Sequence, residues 1–167
     1  NLDRETGFRE RSVIALHRGI YFLSAGNLPE SLRSMAYALQ HSPDSREPDR
    51  IASLSRRWLS FVASQFEVTD DLLAMLQTLV PRRDYAIILE DLLWHAALST
   101  DKVSFERCVR YQRGRGALNE RIDMLYPIAL GNVGRFITTI RGTLEEYPYF
   151  ALRFIKKFLE RLETQNG

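Results

Sequence analysis

A chain of 167 residues, 45% hydrophobic and 26% charged, is long enough to bury a real core as one domain or a short repeat array. Its apolar runs all fall short of the roughly 20 residues that a membrane helix needs. Its single cysteine, Cys108, excludes an internal disulfide, and a net charge of +2 does not by itself call for a polyanionic partner. A reducing, cytoplasmic compartment is the default that follows, although the chain opens on Asn1 rather than Met, which leaves room for a removed leader. All but three of the 23 basic residues are Arg, the exceptions being Lys102, Lys156 and Lys157. Arg presents a planar fork to carboxylates and phosphates and stacks on aromatic rings.

Residues 1–7 are polar and read as a frayed end. From Phe8, the spacing of Val13, Leu16, Ile20 and Leu23 predicts a first helix that ends at Gly26-Asn27. Asn27, Pro29 and Glu30 form a helix start. A second helix carries Leu32, Met35, Ala36 and Leu39 and stops before Pro43. After a loop over residues 42–48, a third helix bears Ile51, Leu54, Trp58, Phe61 and Val62 and is expected to reach Phe66. Thr69-Asp70-Asp71 opens a fourth, closed by Pro81.

The fifth helix, Asp84 to Leu98, stands out. Tyr85, Ile88, Leu89, Leu92, Leu93, Ala96 and Ala97 make one apolar face, and Ile87, Trp94 and Leu98 make a second stripe nearly opposite. The pattern predicts a helix covered on two sides, with a narrow polar seam of Asp84, Asp91 and His95. Ser99-Thr100-Asp101 caps a sixth helix bearing Val103, Phe105, Cys108, Val109 and Tyr111, which Gly114 and Gly116 break. The seventh carries Leu118, Ile122, Leu125 and Ala129 with Pro127 inside it, and ends at Gly131-Asn132. The eighth bears Phe136, Ile137, Ile140 and Leu144, and its Gly134 and Gly142 are expected to serve close packing. A last helix follows Pro148, with Phe150, Phe154 and Phe158 on one face.

No strand period occurs, so the fold class is all-α. Breaks near 43, 81, 114 and 148 group the helices into hairpins at about 8–43, 48–81, 84–114 and 116–148, followed by a cap helix at 149–164, all in one domain, 1–167. Gly26 to Pro43 and Gly131 to Pro148 both span 17 residues. A period near 34 with two helices per unit marks a helical-hairpin array. In the first hairpin, Gly19, Ser31, Ala38 and Pro43 stand where the tetratricopeptide-repeat family places small residues and an exit proline, and the chain resembles that family. Later units keep the length but carry Phe136 and Thr143 at small positions. The resemblance implies a right-handed superhelix with a capping helix. It also implies a concave groove, lined by the first helix of each pair, that takes a peptide or helix of a partner protein.

Two sets of residues qualify as contact sites. Asp84, Asp91 and His95, with Trp58 and Trp94 nearby, form a polar and aromatic anchor or else a satisfied seam between helices. A catalytic role for His95 needs a nucleophile that no motif places beside it, and a metal site needs ligands that His17 and His41 are too distant in sequence to supply. Arg107, Arg110, Arg113 and Arg115, with Tyr111 among them, suit an acidic partner, or alternatively RNA or another anion. The low net charge favours an acidic protein. The expectation is a non-enzymatic interaction domain without cofactor or metal, with self-association through Phe150, Phe154 and Phe158 as a further use of the last helix.

Overall fold

The computed structural model describes residues 10–112, 119–146 and 148–166, the last helix in part by its backbone alone. Nine α-helices and no strand occur among the described residues: α1 (Arg11–Ser24), α2 (Leu28–His41), α3 (Pro48–Ala63), α4 (Asp70–Leu79), α5 (Arg82–Leu98), α6 (Lys102–Gln112), α7 (Asn119–Ala129), α8 (Val133–Glu146) and α9 (Pro148–Asn166). A single 3-10 turn, Ser42–Asp44, follows α2. No described helix is long and apolar enough to cross a membrane. The third helix stops at Ala63 rather than Phe66, because Ser64, Gln65 and Phe66 turn their N–H groups back onto Ser60, Val62 and Ala63.

Three helix joints are built the same way. Gly26, Thr100 and Gly131 all have positive φ. In each joint that residue bonds back to the helix, and the next residue donates to the carbonyl one residue earlier: Asn27 N–H to Phe22 O, Asp101 N–H to Ala96 O, and Asn132 N–H to Pro127 O. These bonds satisfy carbonyls that a helix end would otherwise strand. The same polar residue then caps the following helix. Asn27 Oδ1 accepts from Glu30 N–H at 3.3 Å, Asp101 Oδ1 from Ser104 N–H at 3.1 Å, and Asn132 Oδ1 from Arg135 N–H at 2.9 Å. One residue thus ends one helix and starts the next, which folds the chain back in a minimal turn. At the middle joint the left-handed position is filled by Thr, a β-branched residue disfavoured there. The joint at 64–69 is longer, has no positive φ among its described residues, and relies on Thr69 Oγ1 as the cap for α4.

The chain groups into two compact units, Asn1–Asp91 and Leu92–Gly167, and the division falls inside α5. In the first, α1 packs on α2 and α2 on α3, with further contacts of α1 to α3 and of α2 to α4. The closest approach is at Gly19. Ser31 Oγ donates to Gly19 O at 2.6 Å across the pair, and a Cβ on Gly19 would lie 2.6 Å from Met35 Cγ. The small residues Gly19, Ser31 and Ala38 are all buried there. Leu32, Met35, Leu59 and Leu73 fill the surrounding core.

In the second unit α6 packs on α7, α7 on α8, and α8 on α9. Phe105, Cys108, Leu125, Ile128 and Ala151 are fully buried. Gly134 and Gly142 do not serve close packing: among the described residues a Cβ on Gly142 meets nothing within 4 Å, and one on Gly134 meets only Asn132 Oδ1 at 3.6 Å.

Candidate functional site

The seven-residue face predicted for α5 is buried throughout, from Tyr85 to Ala97. The second stripe is not. Only Leu98 on it is fully buried, while Trp94 is half-buried and Ile87 is exposed. The helix is therefore apolar on one side and mixed on the other, and its polar seam lies at the edge of a neighbouring helix, with Asp84 and His95 half-buried and Asp91 exposed.

That neighbour is α3. Arg56 Nη1 donates to Asp84 Oδ1 at 2.8 Å, and Ser60 Oγ donates to Asp91 Oδ2 at 2.7 Å. Arg56 and Ser60 are one turn apart, and Asp84 and Asp91 two turns apart, so both pairs form along single faces. Since the earlier residue meets the earlier and the later meets the later, α3 and α5 run parallel. Both carboxylates thus hold one partner each from α3, and Asp91 also stays exposed to solvent. Crowding by neighbours withholds water from the Asp91 carboxyl and raises its pKa above the ordinary carboxylate value. The Ser60 hydroxyl opposes this, the Glu90 charge adds to it, and the Arg56 charge opposes it. His95 is half-buried four residues beyond Asp91. Trp58 is half-buried on α3 with its ring edge-on to the exposed Phe61, centroids 6.0 Å apart. In the sequence Arg56 reads as a surface charge and Ser60 carries no signal; their one-turn spacing facing two carboxylates two turns apart becomes a signal only once α3 and α5 are known to be neighbours.

The arginine run is brought together in part. Arg107 and Arg110 line one groove of about 570 Å³ between α6 and α7. Val103, Val109, Ile122, Tyr126 and Pro127 give it apolar surface, and Glu106 and Asp123 add two carboxylates to its lining. Glu106 also pairs with Lys102 at 3.7 Å. Phe105 supports Tyr126 from below, ring centroids 6.0 Å apart. Arg113 and Arg115 lie outside the described residues, as do the side chains of Phe150, Phe154 and Phe158. Trp94 acquires a cation: Arg121 places its guanidinium 5.9 Å from the indole centroid.

Cys108, on α6, is fully buried. Burial, reinforced by the charge of Asp101, pushes its thiol up to about 12, so it is held as the neutral thiol and not as a nucleophilic thiolate. Among the described residues no cluster of three or more His, Cys, Asp or Glu side chains could hold a metal ion. No protein-family model, curated protein or solved structure matches the chain to a significant degree.

Proposed function

We propose that the chain is a non-enzymatic protein-interaction domain, a tetratricopeptide-like array of antiparallel hairpins with a final cap helix, and that it captures a peptide or helix of a partner protein. The groove between α6 and α7 carries this reading. It offers apolar surface the size of a few side chains, a tyrosine supported from below, and two guanidinium forks, Arg107 and Arg110. Such a mixture of apolar surface and a few oriented polar groups suits recognition of a short peptide segment. Glu106 and Asp123 in the same lining favour a partner with an acidic residue beside a basic one over a uniform polyanion. The array itself is supported by the three equivalent joints and by the parallel run of α3 and α5, the relation expected between first helices of successive hairpins.

Selection of random peptides on the purified chain tests this. The expected winners contain an apolar anchor flanked by an acidic residue, and lose binding at least tenfold on Arg107→Glu combined with Arg110→Glu, while circular dichroism stays helical. A chain that instead binds RNA with a steep salt dependence, abolished by the same pair of changes, would move the assignment to the anion-binding alternative.

A further inference from the structure

Pro127 changes the chemistry of the α6–α7 groove. It stands inside α7, and a proline has no N–H to donate. A helix carbonyl points at the N–H four residues on, so the residue deprived of its helix bond is Asp123. Asp123 and Pro127 both line the groove, which sets the deprived carbonyl on its α7 side. The Asp123 side chain adds a carboxylate there. It is exposed, and it makes no hydrogen bond or ion pair among the described residues. Tyr126 lies between these two residues in sequence. It is 39% exposed, with its ring steadied by the fully buried Phe105.

The three groups share one preference. A carboxylate, a main-chain carbonyl short of a donor and an aromatic ring all attract a cation that carries N–H groups. The lining as a whole is balanced, Arg107 and Arg110 against Glu106 and Asp123, so net field does not choose the occupant. Position does. Both arginines and Glu106 belong to α6, and Glu106 is shared with Lys102 at 3.7 Å. The α7 side contributes acceptors and apolar surface but no cation. Arg121, on the same helix, is turned to Trp94 instead.

We propose that the α7 side of the groove is a seat for a lysine of the bound partner segment. The inference rests on the reading of the groove as a peptide site and names the residue it selects. An ammonium has three donors and no acceptor. One N–H meets the Asp123 carboxylate, a second meets the Asp123 carbonyl, and the charge rests against the Tyr126 ring. The aliphatic stem then covers Ile122 and Val103, the latter 58% exposed. Arginine fits less well, because its planar fork matches two oxygens of one carboxylate and leaves the carbonyl unanswered. Alternate residues of an extended segment share a face at about 7 Å intervals. An acidic residue two positions from the lysine therefore turns to the same groove, whose α6 side carries Arg107 and Arg110. The occupant is a Lys-x-Glu segment.

The probe is the pentapeptide Leu-Ser-Lys-Ser-Glu, with fluorescein on its N-terminus and an amidated C-terminus, so that its lysine is the only amine. Its anisotropy is followed against the full chain, and saturable binding is expected. Acetylating the lysine removes the charge and keeps the stem. That change, and separately Asp123→Asn, are each expected to weaken binding about tenfold. Pro127→Ala returns an N–H to the Asp123 carbonyl and is expected to weaken binding about fivefold. Its thermal midpoint should hold or rise, because the helix regains a bond, so this loss is not a folding defect. Asp71→Asn removes the same charge from the exposed start of α4 and is expected to leave binding unchanged. Equal binding of the acetylated peptide, or undiminished binding in Asp123→Asn or Pro127→Ala, overturns the lysine seat and leaves the peptide groove standing. Absence of saturable binding by the probe also overturns the seat. The groove reading falls with it only if selection of random peptides likewise yields no binder sensitive to Arg107→Glu with Arg110→Glu.

Discussion

Gly19 and Gly142 are both interior to helices, and the surroundings give them opposite roles. Gly19 has no room for a methyl group, since its Cβ would stand 2.6 Å from Met35 Cγ and 3.3 Å from Ser31 O. Gly142 has open space at the same place among the described residues. Helix propensity favours Ala over Gly by up to about 1 kcal/mol at either position. Overpacking opposes it at Gly19 by about 1–3 kcal/mol. Gly19→Ala is therefore expected to lower the urea midpoint and Gly142→Ala to raise it. The loss at Gly19 should shrink in a Met35→Ala background, because the clash is with that side chain. Equal responses of the two glycines in urea titrations would remove the close α1–α2 contact from the account. Within its own helix each glycine sits in an amphipathic pattern, and only the spacing to Ser31, Ala38 and Pro43 sets Gly19 apart in the sequence. In the fold, the identity of the facing residue separates them.

At the scale of elements, α5 is tied to α3 by two polar bonds. Asp91 tests how those bonds act. Its pKa is raised in the folded state, so the folded protein binds the proton more tightly than the unfolded chain does. The charged carboxylate thus subtracts from stability at neutral pH. This penalty fades as pH falls through the folded pKa into the ordinary carboxylate range. Asp91→Asn keeps an acceptor for the Ser60 hydroxyl without the charge. The variant is expected to be at least as stable as wild type at neutral pH, with the difference vanishing in acid, as read from thermal melts at both pH values. A variant clearly weaker at neutral pH would mean that Ser60's bond to the charged group outweighs its desolvation. The buried face of α5 was legible from sequence because seven apolar residues repeat with helical period. The polar seam was legible as a set of residues but not in its role. Asp84 and Asp91 find partners 28 and 31 residues earlier in the chain, and no local pattern specifies which helix arrives beside them. The turns at Gly26, Thr100 and Gly131 were readable for a different reason: each is closed entirely by its own few residues.

For the molecule as a whole, local closure and short-range packing imply a particular kind of cooperativity. Each joint is satisfied within about ten residues, and the helix contacts within each unit link hairpins near in sequence. Chains built so are stabilised mainly between nearest neighbours, and strain in one hairpin stays near it. A single globular core would spread the same strain through all elements at once. Gly19→Ala supplies a controlled strain in the first hairpin. Amide hydrogen exchange is expected to accelerate across Arg11–His41 in that variant, with a smaller change in α3 and no change in α7 and α8. The ordering follows from the contacts within the first unit, where α3 touches the strained pair, and from the chain division, which puts α7 and α8 in the other compact unit. Uniform acceleration in all helices would instead identify one cooperative unit, and the proposed tetratricopeptide-like array would then be overturned.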